Sequence, residues 1–200
     1  MAGYDTTGTT LAYASYQLAR NPEIQEKLRN EIEDLVGLKD DSEMTYDDIH
    51  SMTYLDQIIS ETLRFHNPIG ILNRAPSKDY KIPGHDIMIT KDQMTWINAV
   101  DIHFNPKYYE TPDEFNPDHF TKEVKADRNP YAFLPFGQGP RACIGMRFAL
   151  LEAKLALANM VRKFTLLPSE KTKEPLELDP QSGIAYPKNG LYIKLEKRSS

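Results

Sequence analysis

Cys143 is the single cysteine among 200 residues, and the ten residues around it, Phe136-Gly137-Gln138-Gly139-Pro140-Arg141-Ala142-Cys143-Ile144-Gly145, hold three glycines and a proline. That composition permits turns and close backbone approach that larger side chains obstruct. The spacing predicts a helix over 145–164, with Phe148, Leu151, Leu155 and Ala158 at i, i+3, i+7 and i+10 along one stripe. The thiol therefore stands at a helix N-terminus. Backbone N–H groups, the helix dipole and the neighbouring Arg141 favour a thiolate there, and such a sulfur is a nucleophile or a metal ligand.

Residue type alone favours a buried, inert cysteine, but the neighbours argue against it. A zinc site needs several Cys, His or carboxylate ligands at short spacing, and none lies close to Cys143 in sequence. A cysteine hydrolase needs a histidine base. His50, His66, His85, His103 and His119 are available, yet no local signature around Cys143 supports that chemistry. A flat macrocycle whose iron takes one protein sulfur fits a single thiolate beneath a glycine-lined backbone.

Residues 136–145 resemble the haem-binding signature of the cytochromes P450, in which Phe, Gly, Arg, Cys and Gly recur at the spacing of Phe136, Gly139, Arg141, Cys143 and Gly145. The resemblance implies haem (iron protoporphyrin IX) ligated by the Cys143 thiolate, the arrangement for which this family is the standard example. It also implies that Phe136, Gly137 and Gly145 shape the site around the haem. Arg141 and Arg74 match the arginines that hold the two propionates, a role suited to bidentate guanidinium–carboxylate pairing.

At the other end, a run of glycines and threonines precedes Leu11, Ala14, Leu18 and Ala19, whose spacing is helical. On residue types alone residues 1–10 read as a loose terminus. Ala2, Gly3, Asp5, Thr6 and Thr7, however, resemble the oxygen-activation motif of the family's central helix. The resemblance makes Asp5 and Thr6 an acid–alcohol pair that organises water for proton delivery.

Glu61 and Arg64, three apart on a helix over 52–65, would by spacing alone form a solvated ion pair of ~0.2–0.5 kcal/mol. The resemblance instead makes Glu-x-x-Arg a buried structural pair that fixes the region leading to the cysteine. Its usual third member is an arginine in the stretch 112–120. This chain has His119 there, which is shorter and can be neutral at pH 7, so the triad is expected to be only partly replaced.

The remaining elements must hold these groups in place. Asn21 and Pro22 start a helix with Ile24, Leu28, Ile32 and Leu35 as its stripe and Gly37 as its end. Residues 38–44 read as a charged loop, and Thr45 with Asp48 as a capping box. Met52, Leu55, Ile59 and Leu63 form the apolar side of the 52–65 helix. Short strands are expected over 68–75 and 80–89, with Pro83-Gly84 as a turn and Ile82, Ile87 and Ile89 packing, and residues 191–196 alternate as a half-buried strand. The class is mainly α with small β-sheets (α+β). The resemblance makes residues 1–200 the C-terminal part of the cytochrome P450 fold, within a single haem-binding domain whose N-terminal half and membrane anchor are absent.

A net charge of −5 argues against generic nucleic-acid binding, and one cysteine permits no internal disulfide. No apolar run is long enough to span a bilayer. The resemblance implies a haem-thiolate monooxygenase acting on a lipophilic small molecule, with Ile69, Ile71, Leu72 and Ile184 as the apolar substrate contacts. Its electrons would come from an NADPH-dependent flavoprotein reductase docking near the cysteine, where Arg147 and Lys154 are expected to be exposed. Residues 74–80 are similar to those of eukaryotic microsomal, xenobiotic-metabolising animal members. A full-length parent would then sit on the cytoplasmic face of the endoplasmic reticulum membrane, anchored through its N-terminal region. Two alternatives stand beside this: a haem-thiolate isomerase, against which Asp5 and Thr6 weigh, and a fragment that binds haem weakly or acts only through other proteins.

Overall fold

Pro22 has no backbone N–H to donate and suits the first position of a helix, so α1 (Ala2–Arg20) stops and α2 (Pro22–Val36) starts at Asn21. The Asn21 side chain does not cap α2. It turns back and donates to the Gln17 carbonyl at 2.8 Å. The computed structural model describes residues 2–37 and 43–198, so most of the expected charged loop, residues 38–42, lies outside the described residues. The chain continues through α3 (Tyr46–Ser51), α4 (Thr53–Phe65), α5 (Ala99–His103), α6 (Lys122–Asp127) and α7 (Met146–Lys163). Among the described residues, three antiparallel strand pairs complete it: β1 (Ile71–Arg74) with β4 (Thr95–Asn98), β2 (Tyr80–Lys81) with β3 (Met88–Ile89), and β5 (Phe164–Pro168) with β6 (Ile193–Lys197). The fold is mainly α with small β-sheets.

α1, α2, α4 and α7 enclose one core of Leu18, Leu28, Ile32, Leu55, Ile59, Leu157 and Val161, all buried. Buried polar groups orient the helices within it. Gln25 of α2 donates to the Leu18 carbonyl at 3.0 Å and accepts from the Leu166 N–H at 2.8 Å, which ties α1 to β5. Glu31 of α2 accepts from the N–H groups of Tyr54 and Leu55 at 2.7 and 2.9 Å, so a carboxylate from another helix caps α4. Within α3, Thr45 and Asp48 make the reciprocal capping box.

Several faces differ from the sequence expectation. Gln25 turns α2 so that Leu28 and Ile32 are buried while Leu35 is 45% exposed. On α7, Phe148 is 72% exposed and Leu155 is half-exposed. Of the expected stripe, Ala158 is fully buried and Leu151 packs against the core, and they are joined by Ala153, Leu157 and Val161, because the helices meet over alanines, including Ala14 of α1, that allow close approach. Pro83-Gly84 splits residues 80–89 into two strands, with Gly84 at φ 76° and Ile87 exposed. β1 pairs with β4, a strand absent from the sequence reading, in the register Ile71–Asn98 to Arg74–Thr95. Over 191–196 the alternation holds at half-buried Leu191 and Ile193, between exposed Tyr192 and Lys194, and ends at Leu195, which is exposed.

Candidate active site

The cysteine loop is closed by backbone bonds. The Cys143 N–H donates to the Phe136 carbonyl at 2.9 Å, Ala142 to Gly139 at 3.0 Å, and Gly137 to Leu134 at 3.1 Å. Gly137 and Gly139 hold φ of 67° and 78°, left-handed values that glycine adopts without penalty. Phe136 packs against the core while Cys143 is exposed. Gly145 precedes α7 and offers no side-chain cap, leaving its first turn without a side-chain acceptor. Ile144, next to the cysteine in the chain, and Phe148, in the first turn of α7, are also exposed.

β1 brings Arg74 to this loop. A Cβ placed on Gly137 would lie 3.5 Å from Arg74 Nη2 and 3.8 Å from Leu72 Cδ1. Alternation along the strand puts Leu72 and Arg74 on the face toward Gly137 and Ile71 on the other. Ile71 and Leu72 therefore do not line one surface. Arg141 and Arg147 are exposed, whereas Lys154 is not the free cation expected: its side chain is largely covered, and its Nζ lies 2.6 Å from Asp56 on α4.

Glu61 and Arg64 are fully buried. Arg64 donates two bonds of 2.7 Å to the Glu61 carboxylate, and further bonds to the carbonyls of His103, Pro112 and Glu114 at 2.9, 2.8 and 3.0 Å. Every guanidinium donor direction is thus used, which a buried charge requires. Glu61 also accepts from the Asn116 N–H at 2.8 Å. His119 sits where the arginine was expected, with Nδ1 3.2 Å from Glu61 and Nε2 on the Glu110 carbonyl. Its two nitrogens reach two acceptors, so the shorter side chain still links Glu61 to the stretch after α5.

Sequence reasoning missed the role of His103. Its Nε2 accepts from the Leu134 N–H at 2.9 Å while its carbonyl accepts from Arg64. The ring is therefore neutral, and burial pushes its pKa down to about 4. This joins the Glu61–Arg64 pair to the residue whose carbonyl holds Gly137. The Phe133 ring lies 5.6 Å from the His103 ring, a contact that nothing local in the sequence marks.

Asp5 and Thr6 lie early in α1, half-buried. The Tyr186 hydroxyl donates to Asp5 Oδ1 at 2.9 Å. Tyr13 of α1 donates to the Ala185 carbonyl at 2.7 Å, and the Ala185 N–H donates to Pro68 at 3.1 Å. Ile69 and Ile184 flank this junction. Tyr13 stacks on His66 with ring centroids 4.1 Å apart, and Gln17 donates to His66 Nε2 at 2.8 Å. Burial, with the charges of Arg20 and Arg64 adding, pushes the His66 pKa down to about 3.

Among the described residues, no group of three or more His, Cys, Asp or Glu side chains is placed to hold a metal ion. Cys143 offers one sulfur, and a haem iron takes a single protein thiolate and its other donors from the porphyrin. The donor set and the glycine-lined backbone fit haem.

The cytochrome P450 model matches residues 1–195, and the chain belongs to the cytochrome P450 family, whose members carry haem. It is 42% identical over 198 residues to cytochrome P450 6B6 of Helicoverpa armigera, covering 99% of this chain and 39% of that protein. It is 41% identical to probable cytochrome P450 6a14 of Drosophila melanogaster, covering 98% of this chain and 39% of that protein. It is 42% identical to cytochrome P450 3A13 of Mus musculus, covering 98% and 38% respectively. The chain spans about two fifths of the length of these relatives. No helix among the described residues is long and apolar enough to cross a membrane.

Proposed function

We propose that this chain forms the cysteine side of a haem-thiolate monooxygenase, which inserts one atom of dioxygen into a lipophilic small molecule and reduces the other to water. The observation that carries the reading is the sole cysteine, exposed on a glycine loop that is closed on Phe136 and approached by Arg74. Cys143 supplies the thiolate, Arg74 and Arg141 hold the propionates, and Phe136, Gly137 and Gly145 shape the bed. When bound, haem supplies the reduction of dioxygen and the transfer of one oxygen atom. The Asp5 carboxylate and Thr6 hydroxyl hold water and pass protons from solvent. Ile69, Leu72 and Ile184 supply apolar contacts to the substrate.

The same reading makes residues 1–200 the C-terminal portion of one haem-binding domain. It assigns an NADPH-dependent flavoprotein reductase as electron donor, with exposed Arg147 near its docking surface, and the cytoplasmic face of the endoplasmic reticulum as the location. The test supplies the haem-loaded protein with reductase, NADPH and isotopically labelled dioxygen. One labelled oxygen atom in the product for each NADPH consumed supports the reading. Rearrangement of a hydroperoxide without NADPH, or no label in any product, overturns it.

A further inference from the structure

The segment between β5 and β6 reaches back across the chain to Asp5. Tyr186 and Asp5 are 181 residues apart, yet the phenol hydroxyl donates to Asp5 Oδ1 at 2.9 Å. The backbone that carries this phenol is held on several sides. The Tyr186 carbonyl accepts from the Asp179 N–H at 2.8 Å, and its own N–H donates to the Ile184 carbonyl at 2.7 Å. One residue earlier, Ala185 is bonded to both Tyr13 and Pro68. Tyr13 is itself fully buried.

We infer that Tyr186 is a positioning residue for Asp5: it fixes Oδ1 of the carboxylate from the C-terminal segment and leaves Oδ2 to exchange protons with water. This rests on the reading of Asp5 and Thr6 as the proton-delivering pair. An aspartate near the start of a helix has freely accessible χ1 and χ2 rotamers, and a donor anchored elsewhere selects one of them. The hydrogen bond is charge-assisted, so it holds more firmly than a neutral one. Because the segment also carries Ile184 and bonds to Pro68, it joins the proposed substrate contacts to the proton donor. Tyr186 is raised above the ordinary tyrosine range, chiefly by its hydrogen bond to Asp5, with burial and the Asp5 charge adding; Tyr4 is the other titratable neighbour.

Two measurements test the inference in the haem-loaded protein. The first is a pH titration of carbon-labelled tyrosine by NMR, with the Tyr186 signal assigned by its loss in Tyr186→Phe. Its midpoint lies above the ordinary tyrosine value and falls in Asp5→Asn. A midpoint indifferent to Asp5→Asn overturns the contact. The second is oxygen economy with reductase and NADPH, comparing the variants with the parent. Loss of one hydrogen bond to a charged group lowers product formed per hydrogen peroxide released by about tenfold in Tyr186→Phe. The thermal midpoint falls by only a few degrees, because the ring is kept and one hydrogen bond is lost, so the variant stays folded. If Asp5→Asn uncouples the protein and Tyr186→Phe does not, the positioning role is wrong and the acid–alcohol reading survives. If Asp5→Asn and Thr6→Ala leave the economy unchanged, that reading fails and takes the positioning role with it.

Discussion

His103 Nε2 accepts a hydrogen bond from the Leu134 N–H at 2.9 Å, and the same residue's carbonyl accepts one from Arg64 at 2.9 Å. Leu134 in turn accepts from the Gly137 N–H. Three bonds thus run from the buried ion pair on α4 to the cysteine loop. His103→Phe keeps the ring volume but leaves the buried Leu134 N–H without an acceptor, at a cost of about 1–3 kcal/mol. Urea unfolding of the variant should show that loss, together with faster haem transfer to an acceptor protein. Unchanged haem retention would mean that the loop is positioned without His103.

His66 and His103 are buried as neutral rings, with pKa values pushed down from 6.5 to about 3 and about 4. An unfolded chain takes up both protons as the pH falls through 6.5, whereas the folded chain does not. The unfolded state then binds more protons, so stability is full above this range and declines as the pH drops toward 4. Each group adds a slope of up to ~1.4 kcal/mol per pH unit. His66→Phe should flatten the decline between pH 6.5 and 4, as read from urea midpoints at several pH values. An identical slope in the variant would show that His66 takes its proton in the folded state.

Gly137 stands at φ 67°, facing Arg74 and Leu72. Gly137→Ala places a Cβ in a left-handed residue, which costs about 1–2 kcal/mol. The new methyl group also occupies the contact space between the loop and Arg74. The variant should lose stability by that amount and release haem faster than the parent. A variant with unchanged stability would show that the loop relaxes to a different backbone.

Local chemistry made some of this legible in the sequence. Asn21-Pro22 divides two helices, Thr45 with Asp48 caps α3, and the glycines around Cys143 carry the positive φ values of the loop. What remained hidden depends on partners distant in the chain. The burial of Glu61 and Arg64 was expected from the resemblance and not from spacing, and the carbonyls of His103, Pro112 and Glu114 that stabilise it carry no side-chain signal. β1 finds its partner in β4, beyond an intervening hairpin, and Tyr186 meets Asp5 across nearly the whole chain. The face of α7 was legible only at Leu151 and Ala158 and not at the exposed Phe148 and Leu155, because apolar residues occur on more than one side of the helix and only packing against α1, α2 and α4 chooses among them. His103 was one of five histidines with nothing local to mark it.

The central claim, that the Cys143 sulfur ligates haem, is tested most directly by the carbon monoxide difference spectrum of the reduced, haem-loaded protein beside Cys143→Ser. A red-shifted Soret band present in the parent and absent in the variant is the predicted result, because a thiolate ligand donates electron density that a hydroxyl does not. A band that persists in Cys143→Ser, or its absence from a parent that holds haem, would contradict the assignment.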